Sequence, residues 1–185
     1  MFMIRCLLLS ALLATPALAG ETVWEALGGG GHVVLMRHAL APGTGDPANF
    51  QLDDCNTQRN LNDTGRQQAR DTGAAFHAWE IPVATVYTSQ WCRCRETAEL
   101  LDLAPVRVLP ALNSFFQNRE RRGPQTEALR AFLADLELDG ENVVMVTHFV
   151  NIGALTGESV SSGELVVVRP GDNGEVTVVG NIAAF

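Results

Sequence analysis

Short, wholly apolar runs alternate along this chain with longer segments whose apolar residues return every three or four positions. Residues 32–36, 83–87, 106–109 and 143–146 have strand length and are rich in β-branched side chains. Between them, residues 64–79 carry Ala69, Ala74, Ala75 and Phe76 at helical spacing, residues 96–101 and 126–138 read as further helices, and a short helix falls around Ile152. Residues 165–168 and 176–179 flank the turn Pro170-Gly171-Asp172-Asn173-Gly174, the pattern of a terminal hairpin. Strands with no polar face, alternating with helices, predict an α/β domain: a three-layer sandwich with a mostly parallel central sheet covered by helices on both faces. Ligands of such sheets gather at the carboxyl ends of the strands.

The first residues follow another pattern. A short start ending in Arg5, an apolar run over residues 7–14 and the small-x-small triplet Ala17-Leu18-Ala19 make residues 1–19 an expected secretory signal, cleaved near Ala19. The run is too short to span a bilayer and Pro16 interrupts it, so no stable membrane anchor is expected. Residues 20–185 then form a single domain in the periplasm or outside the cell. Export leaves Cys55, Cys92 and Cys94 in an oxidising compartment. Cys92 and Cys94 are too close to pair with each other, so one bridge from Cys55 to either of them is expected.

Composition narrows the partners. The chain has 13 basic residues, all arginine, against 21 acidic ones, a net charge of −8. That balance argues against nucleic acid and anionic membranes as ligands. Any anion must be gathered by a few placed arginines. Such residues stand where the fold would put a ligand: Arg37 and His38 after the first strand, Ser89 and then Arg93 after the second, Thr147 and His148 after the strand at 143–146. Any one of them could be structural; together they converge on one sheet edge.

These segments resemble the histidine phosphatase superfamily, whose fold is that of the phosphoglycerate mutases. Met36-Arg37-His38-Ala39 is similar to its Arg-His-Gly/Ala signature, and the stretch Leu61 to Ala69 to its Leu-x-x-x-Gly-x-x-Gln-Ala helix start. Ser89 to Ala98 resembles its Ser-x-x-x-Arg-x-x-x-Thr-Ala segment, and Val146-Thr147-His148 its late histidine, all in family order. The resemblance implies a phosphoric monoester hydrolase in which His38 is the nucleophile and forms a phosphohistidine, with Arg37, Arg93 and His148 binding the phosphoryl oxygens. It implies no cofactor and no metal. Guanidinium forks suit a phosphate dianion, and a neutral imidazole suits in-line attack. Thr44, in the turn-rich loop Pro42 to Pro47, is a further candidate phosphate donor.

The general acid is missing from both places the resemblance points to. Phe149 follows His148 where some relatives have aspartate, and Ser114 stands where mutase-like members have glutamate. Glu120 is the candidate that remains, with Asp53 and Asp54 behind it. A leaving group such as phosphohistidine or an acyl phosphate would need such an acid less. Expected substrates are a phosphorylated small molecule or a cell-envelope glycan, exported relatives being known to act on phosphorylated heptose; no obligate protein partner is evident. The alternatives are a phosphohistidine phosphatase, a catalytically weak phosphoryl-binding domain of the same fold, and a metal or redox protein built on Cys55, Cys92 and Cys94. A thiol-based phosphatase fails, because the arginine it needs six residues beyond Cys92 is Ala98.

Overall fold

The computed structural model describes residues 16–185, with side chains from Thr22 onward; the expected signal lies outside the described residues up to residue 15. The elements run α1 (Pro16–Gly28), β1 (Val33–Arg37), α2 (Asp63–Ala78), β2 (Val83–Thr88), α3 (Cys92–Leu101), β3 (Val106–Val108), α4 (Arg122–Ala134), β4 (Asn142–Thr147), α5 (Phe149–Thr156), β5 (Leu165–Pro170) and β6 (Val176–Ile182). One six-stranded sheet has the order β3-β2-β4-β1-β5-β6. Its first four strands are parallel, and the terminal hairpin adds β5 and β6 antiparallel.

The apolar runs are two-faced because each strand sends alternate side chains to opposite layers. Val34, Met36, Val144, Val146 and Val167 pack with Trp24 and Leu27 of α1, Phe76 of α2 and Leu101 of α3. Val33, Leu35, Val143, Met145 and Val166 pack with Leu129 and Leu133 of α4 and Ile152 of α5. Those two cores make the three-layer sandwich. Among the described residues no helix is long and apolar enough to cross a membrane.

Two local readings change. Helix α1 is not signalled by the apolar pattern, yet its Val23, Trp24 and Leu27 are buried, and all three follow the expected cleavage point. Helix α4 starts at Arg122 and ends at Ala134 rather than spanning 126–138. Pro124 is tolerated in its first turn, where the backbone N–H has no helical acceptor. Leu136 and Leu138 continue the apolar pattern beyond it because the loop packs on the core as well. In the turn before β1, Gly30 has φ +69° and a Cβ there would lie 1.8 Å from the Gly140 carbonyl oxygen.

The disulfide joins Cys55 to Cys92, leaving Cys94 as a buried free thiol. The bridge closes a sequence separation of 37 residues and ties the loop after β1 to the first turn of α3. Chain-entropy arguments give such a loop about 3 to 4 kcal/mol. Cys55→Ser with Cys92→Ser is expected to lose about that much in urea unfolding, and an unchanged midpoint would show that the bridge does not form.

Candidate active site

Parallel pairing brings three strand ends to one edge. Arg37 lies opposite Thr147 in the β1–β4 register. The His38 N–H donates to the Thr147 carbonyl at 2.9 Å, and the Ser89 N–H to the Val146 carbonyl at 3.0 Å. The chain leaving β1 is then held from two helices. Ala39 N–H donates to Thr97 Oγ1 at 3.1 Å, and Leu40 N–H to Gln68 Oε1 at 2.9 Å. Gly65 is required at the start of α2 because a Cβ would stand 2.1 Å from the Leu40 carbonyl oxygen. The helix residues of the sequence pattern thus position the loop that carries His38.

His38 is 2% exposed. Its Nδ1 lies 2.8 Å from the Ala39 carbonyl oxygen, an acceptor only, which assigns the proton to Nδ1 and the lone pair to Nε2. Burial first, and then the Arg93 charge, push its pKa down to about 3. His148 is held well below its usual value by burial and by His38 and Arg93. The two rings are 5.4 Å apart. His148 Nε2 is 3.0 Å from the Ser89 hydroxyl, so Nδ1 is its nitrogen left for a ligand.

Around His38 stand three arginines. Arg93 donates from Nε to His38 Nε2 at 3.2 Å, and from Nη1 and Nη2 to the two Asp46 oxygens at 2.6 and 3.2 Å. Arg59 donates to the Gly45 and Ala41 carbonyls. Arg37 donates from Nη1 to the Val160 carbonyl at 2.9 Å, while its buried Nε has no partner. Burial and repulsion from Arg93 lower the pKa of both Arg37 and Arg59. Burial alone would raise that of Asp46, but hydrogen bonds from Arg93 and Trp91 carry it below the usual value. Three guanidiniums facing one carboxylate leave a cavity of about 260 Å³ with an unmet demand for negative charge.

The sequence candidates separate cleanly. Arg37, His38, Arg93, His148 and the exposed Thr44 line the cavity, as do Ser114 and Phe149 at the two places without an acid. Glu120 does not: it is exposed in the turn Arg119–Arg121, where its carboxylate faces the Asn118 side-chain amide. Asp53 is exposed, and Asp54 caps the turn at Cys55–Thr57 through the Asn56 N–H. Two charged cavity residues escaped the sequence reading, as did Phe116. Asp46 sits in the loop noted only for Thr44, and Arg59 lies two residues before the helix-start pattern at Leu61.

The buried histidines set a pH dependence of stability. Their folded pKa values lie below the unfolded value of about 6.5, so as pH falls through 6.5 the unfolded chain takes up protons that the native state refuses. Stability therefore drops on acidification, by about 2 kcal/mol per histidine between pH 7 and 5. Urea unfolding at the two pH values checks this, and His38→Gln is expected to remove about 2 kcal/mol of the change.

The fold and site define an α/β scaffold with a histidine-centred, arginine-lined cavity at its parallel-strand edge. Residues 33–134 match the family model of the histidine phosphatase superfamily, branch 1, and the chain belongs to that family. Among curated proteins none matches. Solved structures share the fold at low identity. The protein histidine phosphatase SixA complexed with tungstate is 19% identical with a TM-score of 0.55, the match covering 82% of this chain and 96% of that one. A mycobacterial glucosyl-3-phosphoglycerate phosphatase is 18% identical with a TM-score of 0.58, covering 80% and 96%. A phosphoserine phosphatase of Entamoeba histolytica is 12% identical with a TM-score of 0.57, covering 82% and 96%.

Proposed function

We propose that this protein is an exported phosphohydrolase that cleaves phosphomonoesters through a covalent phosphohistidine on His38. The observation that carries the reading is the His38 ring itself. It is neutral, fixed by Ala39 through Nδ1, and its Nε2 lone pair faces a cavity walled by Arg37, Arg59 and Arg93. An entering phosphoryl oxygen takes over the Arg93 Nε–H, which frees the lone pair. Nε2 then bonds to phosphorus as the bond to the leaving oxygen breaks. The guanidiniums hold the equatorial oxygens, most tightly in the transition state, and His148 lines the same cavity beside them. Water next attacks phosphorus, the P–N bond breaks, phosphate leaves and His38 returns. The scheme uses neither metal nor cofactor. Export is supported by the signal-like first 19 residues and by the Cys55–Cys92 disulfide.

One observation favours leaving groups that need little protonation. The carboxylate lining the cavity, Asp46, is ionised and bound to Arg93 by two hydrogen bonds. Aryl esters, acyl phosphates and phosphohistidine fit such a site, so a phosphohistidine phosphatase is the second reading. Hydrolysis of substituted phenyl phosphates in the presence of a chelator tests both. The expected rates fall steeply as the leaving phenol becomes more basic, with para-nitrophenyl phosphate turned over fastest. Equal rates for aryl and alkyl phosphates would overturn the missing-acid account, and binding of phosphate with no turnover would leave a phosphoryl-binding domain.

A further inference from the structure

The phosphoryl cavity is smaller than the several hundred Å³ that small-molecule sites occupy, so most of a substrate must lie beyond it. A second cavity of about 560 Å³ adjoins it, sharing Phe116 and Phe149 as a common wall. The two rings are 5.6 Å apart, and the Arg37 guanidinium lies 5.2 Å from the centre of the Phe149 ring. Arg37 also binds the carbonyl of Val160, a residue of the second cavity. The larger space therefore opens beside the phosphoryl-binding groups.

Its walls have two kinds of surface. Phe115, Phe116, Phe149, Val150 and Ala154 are apolar, and Phe149 remains 42% exposed. Arg119 and Arg122 also line it, both exposed and neither in a salt bridge among the described residues. Glu158 also lines it and accepts from Asn181, so the two arginines leave a local excess of one positive charge on a chain of net charge −8. A further space of about 340 Å³ adjoins the phosphoryl cavity through Asp46 and Ser114, but there the one arginine of its lining, Arg121, stands against that carboxylate and leaves no excess of positive charge.

Building on the proposed phosphohydrolase activity, we propose that the cavity between the start of α4 and helix α5 is the leaving-group subsite. It takes a phosphomonoester with an apolar, ring-sized body and a second anionic group. The body lies against Phe116 and Phe149, and the distal carboxylate or phosphate pairs with Arg119 and Arg122.

Non-hydrolysable probes separate this subsite from turnover. Calorimetry would compare benzylphosphonate, 2-naphthylmethylphosphonate and its 6-carboxylate. The wild type is expected to bind the carboxynaphthyl probe about ten times more tightly than the plain naphthyl one. Arg119→Ser with Arg122→Ser, both at exposed positions, brings that ratio to about one. Ala154→Leu, which fills the cavity, removes the advantage of naphthyl over benzyl. Equal affinities of the three probes in the wild type, or a carboxylate preference that survives in the double variant, would overturn the subsite. Kinetics with para-nitrophenyl phosphate on the same wild-type protein keep the two failures apart, because absent turnover with intact probe selectivity refutes the activity and not the subsite.

Discussion

His38→Ala is expected to lower kcat for para-nitrophenyl phosphate by about ten-thousand-fold or more, because removal of a covalent nucleophile leaves only binding and electrostatic assistance. The loss belongs in kcat. Arg37, Arg59 and Arg93 still line the cavity, so inorganic phosphate should continue to bind the variant, with calorimetry as the check. The side chain is buried between β1 and α3 and makes only two polar contacts, to Ala39 and Arg93. Circular dichroism should therefore report an unchanged fold. Activity that survives the substitution would place the nucleophile elsewhere.

Asp46→Asn is expected to act chiefly on stability. Arg93 and Asp46 side chains are 3% and 4% exposed, and their nearest oxygen–nitrogen distance is 2.6 Å. Asparagine keeps the shape and removes the charge, leaving the Arg93 guanidinium buried beside Arg59 and Arg37 without a counter-ion. Breaking a buried pair from one side costs about 3 to 5 kcal/mol. Phosphate entering the cavity supplies the missing negative charge, so added phosphate should raise the urea midpoint more in the variant than in the wild type. Kinetics distinguish positioning from proton donation. An ionised Asp46 donates no proton, so the dependence of rate on leaving-group basicity should keep its slope in the variant. A steeper slope would mean that Asp46 is the acid.

The layered fold was legible because all-apolar runs such as Val33 to Met36 and Val143 to Val146 admit no solvent face. The convergence of Arg37, His38, Arg93 and His148 was legible for a related reason: strand-end residues of a parallel sheet share an edge. Helix α1 was not, since its buried stripe of Val23, Trp24 and Leu27 is short and adjoins a signal-like segment. Arg59 and Asp46 were hidden by distance. They reach the cavity on the long connection between β1 and α2, where neither periodicity nor strand placement says which way a side chain points. Glu120 is the converse case, because a carboxylate in an arginine-rich stretch looks like a site residue, while here Glu120 is exposed in its turn and away from the cavity around His38. The cysteine pairing was narrowed by sequence to two options. The helix decided it: in the first turn of α3, Cys92 is bonded to Cys55, Arg93 reaches the cavity and Cys94 is buried in the core, its thiol pushed up to about 12 by burial.

The central claim is the covalent bond between phosphorus and His38 Nε2. Its most direct test is mass spectrometry of peptides from protein mixed with para-nitrophenyl phosphate and quenched within milliseconds in alkali, where phosphohistidine survives. The account predicts one added phosphoryl group on the peptide containing His38, absent in His38→Ala and decaying as fast as phosphate is released. Steady turnover with no phosphoryl group on that peptide, or with the group on another residue, would contradict it.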